Sequence, residues 1–142
     1  MVITAYYMGD GSDIENYNTS KLTHIIYSFL HLRGNELTVD NEKDSISIVK
    51  LVSLKAKNKD LKIILSLGGW GGCPDCSKVF NTESGREEFA KSVKKLLVTY
   101  NADGLDLDWE YPALESVPGH HYGPEDKQNF TYLITELRKQ FG

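Results

Sequence analysis

Four short, β-rich apolar runs, each followed by a stretch of helical spacing or its remnant, limit what this chain can fold into more than any other feature. The runs are Val2–Met8, His24–Leu32, Leu61–Leu67 and Gly104–Trp109. Behind the second run, Ser45–Lys57 places Ile48, Leu51, Val52 and Leu54 at helical spacing. Ser84–Tyr100 does so with Phe89, Val93, Leu96 and Leu97, and Glu125–Phe141 with Phe130, Leu133, Ile134 and Leu137, which predicts that these residues are buried. A polar stretch follows the first run, and Arg33-Gly34-Asn35 reads as a turn. Strands alternating with helices imply an α/β fold, a parallel sheet joined by right-handed crossovers. The nearly unbroken apolar character of the strands fits a sheet covered on both faces. A doubly wound sheet and a closed barrel both satisfy this pattern.

The chain has 142 residues, enough for one domain with a real core and too few for two. A net charge of -4, with no basic stripe, argues against nucleic acid or an anionic membrane surface as partner. No apolar run approaches the ~18–20 residues that span a bilayer. The N-terminal Met-Val-Ile-Thr-Ala-Tyr-Tyr lacks the charged region and cleavage site of a secretory signal. Cys73 and Cys76 are too few for a disulfide framework or an all-cysteine zinc site. Asn18-Thr19-Ser20 and Asn129-Phe130-Thr131 fit the N-glycosylation pattern, which is short enough to recur by chance.

The chemistry concentrates in Asp103-Gly104-Leu105-Asp106-Leu107-Asp108-Trp109-Glu110-Tyr111-Pro112. Side chains alternate along a strand, so Asp106, Asp108 and Glu110 share one face, about 7 Å apart per step. Leu105, Leu107 and Trp109 point the other way. An exposed edge strand would explain the acids in an antiparallel sheet, but this strand sits inside a parallel pattern. A magnesium or calcium site would use clustered carboxylates, but no further acids or histidines surround the strand to complete one. Crowded carboxylates cannot all ionise cheaply, so at least one keeps its proton near neutral pH. A protonated carboxyl beside an ionised one is what glycosidic cleavage requires. In a barrel, such groups sit at the C-terminal ends of strands, where Glu110 stands.

At these residues the chain resembles glycoside hydrolase family 18, the chitinases and related endo-N-acetylglucosaminidases. The Asp-x-x-Asp-x-Asp-x-Glu signature is met by Asp103, Asp106, Asp108 and Glu110, and Ser-x-Gly-Gly by Ser66-Leu67-Gly68-Gly69. Tyr6-Tyr7 on the first strand and Tyr27-Ser28-Phe29 on the second are further landmarks. The resemblance covers essentially the whole chain. It implies a parallel (βα)4 half of a TIM (βα)8 barrel, with residues 1–142 forming a single partial catalytic domain of the first four βα units.

The resemblance further implies retaining, substrate-assisted hydrolysis of β-1,4-linked N-acetylglucosamine polymers, with chitin or chito-oligosaccharide as partner and no cofactor or metal. Glu110 would protonate the glycosidic oxygen, and the substrate's own 2-acetamido carbonyl would attack the anomeric carbon. Asp108 would orient the acetamido N–H, and Asp106 would share a proton with Asp108, steadied by the Ser66 hydroxyl. Asp103 looks like a structural member. Sugar rings stack on aromatic faces, and Tyr7, Phe29, Trp70 and Tyr111, at or near strand ends, are candidates to line the subsites.

The Ser28–Phe29 and Glu110–Tyr111 peptide bonds are expected to be cis by the same resemblance. A secreted, extracellular location follows from it as well, with Cys73 and Cys76 as a local disulfide. The main rival is a thioredoxin-like Cys-x-x-Cys redox protein, and a second is a lectin-like barrel without turnover. A complete barrel takes ~250 residues. The expectation is therefore that this chain alone leaves two unpaired strand edges and an uncovered inner face, including Tyr27, Phe29 and Ile64. It would be nearly inactive by itself, and would self-associate or pair with a C-terminal half.

Overall fold

A computed structural model of the chain describes residues 1–115 and 117–142. Strand β1 spans Thr4–Tyr7, β2 His24–Arg33, β3 Glu36–Thr38, β4 Lys62–Gly68 and β5 Gly104–Asp108. Helix α1 spans Glu42–Ser53, α2 Cys76–Phe80, α3 Glu83–Tyr100 and α4 Asp126–Phe141. Strands β1, β2, β4 and β5 are parallel neighbours in that order, the (βα) pattern read from the sequence. Where β1 and β2 are joined, the helical remnant is one 3-10 turn, Ile14–Asn16.

The sequence reading passed over β3. Gly34 adopts φ +60°, which lets the chain turn back after β2 so that Glu36–Thr38 pairs antiparallel with His31–Arg33. A three-residue strand is too short to display an alternation. Both α1 and α3 start on a side-chain cap. Asn41 Oδ1 accepts from the Asp44 amide at 3.1 Å, and Thr82 Oγ1 from the Gly85 amide at 3.0 Å. Asn101, in the left-handed region at φ +56°, ends α3.

One apolar core lies between the sheet and the helices. Ile25, Tyr27, Leu30, Ile63, Leu65 and Leu67 reach it from the sheet, and Ile48, Leu51, Phe80, Phe89, Val93 and Leu133 from the helices. Trp109, just past β5, packs edge-on against Phe80, ring centroids 5.4 Å apart, and tilts against Phe130 at 6.3 Å. Two expectations need correction. Ile134 is 37% exposed, because α4 buries the narrower stripe of Leu133 and Leu137. Tyr27 belongs to the helix-facing side rather than the inner face: it is buried, and its hydroxyl donates to Asp44 Oδ1 at 2.8 Å at the start of α1. That bond satisfies the polar end of an otherwise apolar burial.

The Ser28–Phe29 and Glu110–Tyr111 peptide bonds are both cis. The pairing between β2 and β4 shifts between Tyr27 and Leu30, so Tyr27 faces Leu65 while Leu30 faces Leu67. The extra residue keeps Tyr27 and Leu30 both in the core. Of the two glycosylation patterns, Asn129 is buried on α4 with its amide donating to Asn81 Oδ1 at 3.1 Å, whereas Asn18 is exposed. No helix among the described residues is long and apolar enough to cross a membrane.

Candidate active site

The register of the sheet builds the site. Tyr6 pairs with Ile26, Ile26 with Ile64, Ile64 with Gly104, and Ser66 with Asp106. These positions, with Asp108, form the face turned away from the helices, because their neighbours Ile25, Tyr27, Leu65 and Leu67 fill the core. Ser66 is fully buried and its hydroxyl donates to Asp106 Oδ2 at 2.6 Å. The hydroxyl–carboxylate contact expected across these two strands is therefore present.

Asp108 holds its proton more tightly than an ordinary aspartate. Burial is the largest cause, followed by the charges of Glu110 and Asp106 and a hydrogen bond with Glu110. Each of these favours the protonated form of Asp108, so a proton is kept at this end of the strand more readily than on a free aspartate. Asp106 accepts from Ser66 and meets the Tyr6 hydroxyl, and its charge is among the causes that raise Asp108. The Tyr111 phenol is also pushed up, first by its hydrogen bond with Glu110 and then by that group's charge.

The Gly68-Gly69 pair lets the loop after β4 approach this strand. Gly68 sits at φ +107°, and a Cβ there would run into the Asp108 carbonyl. The Gly69 amide donates to that same carbonyl at 3.0 Å. A side chain on Gly69, at φ +77°, would strike the Phe29 ring, which places Phe29 against this loop. Next along the loop, Trp70 is 67% exposed and meets Tyr111 edge-on, ring centroids 6.2 Å apart. Behind it, Cys73 and Cys76 form a disulfide, both residues buried. A reactive redox cysteine needs access and a thiolate, and neither sulfur has that setting.

Two residues lie apart from this cluster. Tyr7 faces the helix side: its hydroxyl donates to Asp13 Oδ1 at 2.8 Å and accepts from the Gly11 amide at 2.9 Å, bracing the loop after β1. The expected subsite role does not fit that orientation. Tyr6, a landmark of the first strand but not among the expected subsite residues, takes the inner face instead. Its phenol is pushed up by burial, then by the charges of Asp106 and Asp108 and a hydrogen bond with Asp106. Asp103 sits at the opposite end of β5, where Oδ2 accepts from Lys55 Nζ and the Ile63 amide, both at 2.8 Å. Among the described residues, no group of three or more His, Cys, Asp or Glu is placed to hold a metal ion.

The sequence profile described as "Glycosyl hydrolases family 18" matches residues 2–142. The endochitinase of Manduca sexta is 38% identical over 134 residues, spanning 90% of this chain and 24% of that protein. The chitinase domain of the spore coat protein CotE from Clostridium difficile superposes with a TM-score of 0.88 at 30% identity, covering 100% of this chain and 39% of that one. A Group II chitinase catalytic domain from Ostrinia furnacalis, solved in complex with penta-N-acetylchitooctaose, gives 0.80 at 30% identity, over 97% of this chain and 39% of that one. The chain thus spans about a quarter of the Manduca relative and about two-fifths of each of these structures.

Proposed function

The chain belongs to glycosyl hydrolases family 18, and from that premise we propose that it forms the acid-bearing half of a (βα)8 barrel that cleaves β-1,4-linked N-acetylglucosamine polymers. The observation that carries this reading is the inner-face row of Asp106, Asp108 and Glu110 at the end of β5, with Asp106 held by the buried Ser66 hydroxyl at 2.6 Å and the Asp108 carboxyl pushed up by burial and by its two acidic neighbours. A proton held at the end of β5 is available to a leaving glycosidic oxygen. A substrate 2-acetamido oxygen would then attack the anomeric carbon, with retention of configuration. As Glu110 gives up its proton, Asp108 turns to the acetamido N–H and balances the positive charge that develops there. Asp106 is held in place by the Ser66 hydroxyl and the Tyr6 phenol, and so steadies Asp108.

Phe29, Trp70 and Tyr111 supply apolar faces for successive sugar rings. The Ostrinia enzyme's complex with a chito-oligosaccharide supports the same ligand class here. The disulfide between Cys73 and Cys76 favours an oxidising, extracellular setting. Because it spans only about two-fifths of the chitinase structures it matches, the 142-residue chain produced alone is expected to show little turnover.

The test is Glu110→Gln in a protein carrying the complete barrel, assayed on a fluorogenic chito-oligosaccharide. The substitution keeps shape and removes the transferable proton, so kcat falls by several orders of magnitude while sugar affinity is largely retained. Equal losses of binding and turnover would assign Glu110 a structural role. Sugar binding without turnover in the unmutated complete protein would favour a lectin-like barrel.

A further inference from the structure

Asp126 is fully buried, carries a carboxylate, and has no place in the chemistry above. It opens α4, and its two oxygens gather three donors from three places. Oδ1 accepts from the Ser77 hydroxyl on α2 at 2.6 Å. Oδ2 accepts from the amides of Ala113 and Gly123, each at 3.0 Å. Ala113 lies three residues beyond Glu110 and holds φ +64°, a conformation that a non-glycine residue adopts only when its surroundings fix it. Ser77 follows Cys76, the end of the stapled loop that begins at Trp70. A second bond joins the same two connections, from the His121 amide to the Pro74 carbonyl at 3.4 Å. At their outer ends, Tyr111 and Trp70 meet edge-on.

We propose that Asp126 is a positioning residue: from behind the site it fixes the chain after β5 against the loop after β4, and so sets where Glu110 and Tyr111 stand relative to Trp70. A carboxylate suits the task because it accepts several hydrogen bonds at once and donates none, and bonds to a charged acceptor are the stronger kind. An asparagine of the same shape turns a donor towards at least one of the three groups that need an acceptor. The inference rests on the catalytic reading for its kinetic consequence alone; the tethering itself has a readout that needs no reaction.

The test uses Asp126→Asn and Ser77→Ala in the complete protein, with Ser77→Ala as the milder change that leaves both amides their acceptor. Amide exchange at Ala113 and Gly123 should quicken at least tenfold in Asp126→Asn, and the near-UV circular dichroism of the Trp70–Tyr111 pair should change. On a fluorogenic chitobioside, kcat should fall about tenfold, with the limbs of the pH profile unmoved because the acid itself is intact. Ser77→Ala should show a smaller fall of the same kind. Unchanged exchange in Asp126→Asn would overturn the inference whether or not the protein is a chitinase. Quickened exchange with unaltered kcat and KM would overturn it too. If Asp126→Asn does not fold, an unaltered kcat in Ser77→Ala decides against the inference and a reduced one for it. An inactive unmutated protein would count against the catalytic reading, leaving exchange and dichroism to judge the tether.

Discussion

Asp103, just before β5, and Asp108, at its last residue, have opposite relations to their protons. Burial alone would raise the Asp103 carboxyl, but Lys55, the Ile63 amide and Lys62 outweigh it and hold it below the ordinary aspartate value of 3.8. Its contribution to stability is therefore full above that value and is lost as pH falls through the lower, folded one. Asp103→Asn should cost about 1–2 kcal/mol near pH 7, and the gap from wild type should close in strong acid. Thermal melts across pH 2 to 7 measure this; a gap that persists below the folded value would mean the charge is not what matters. The resemblance marks Asp103 as a structural member, and in the fold it joins Lys55 to the Ile63 amide of β4. The two tyrosines of β1 were harder to read. Adjacent residues point to opposite faces, and nothing in Tyr6-Tyr7 tells which ring looks inward. That depends on the pairing Tyr6–Ile26–Ile64–Gly104, which is a property of the sheet rather than of β1.

At the level of elements, helices α1, α3 and α4 were legible because each repeats apolar residues over three or more turns, and the long strands because they are unbroken. The β2–β3 hairpin and the register shift after Tyr27 were not, since each involves only a few residues and depends on a partner strand. Helix α3 offers a sharp test of local packing. Glycine in a helix normally costs about 1 kcal/mol relative to alanine, so Gly85→Ala looks stabilising on propensity. A Cβ at Gly85 would, however, run into the Val79 carbonyl oxygen and crowd Thr82 Oγ1, the capping atom. Gly85→Ala should therefore destabilise by about 1–3 kcal/mol, the usual range for overpacking. Urea unfolding measures it, and a higher midpoint would show that the turn between α2 and α3 yields easily.

For the molecule as a whole, β1 and β5 are the outer strands of the parallel sheet, each with one side unpaired within it. Apolar side chains crowd both ends. Tyr6, Met8 and Val2 are exposed at β1, while Leu105 and Leu107 at β5 adjoin the exposed Val98, Ile134 and Phe141. Open backbone donors and acceptors beside apolar surface favour pairing with another chain. The 142-residue chain produced alone should therefore run as a dimer or larger in light scattering, and adding a complementary C-terminal half should disperse that species. A stable monomer alone would show that these edges are already protected.

The acids on the inner face are each only partly buried. Solvent on one side of a charge pair keeps the effective permittivity high, and at ~4 Å the same pair interacts by roughly 1 kcal/mol in bulk water and about 4 kcal/mol at an effective constant of 20. Covering that face with a second wall would act on Asp108 as a change of medium acts on a dissolved acid. The Asp108 proton would be gripped harder, and the pH range over which it is held would widen upward, without any carboxyl group having to move.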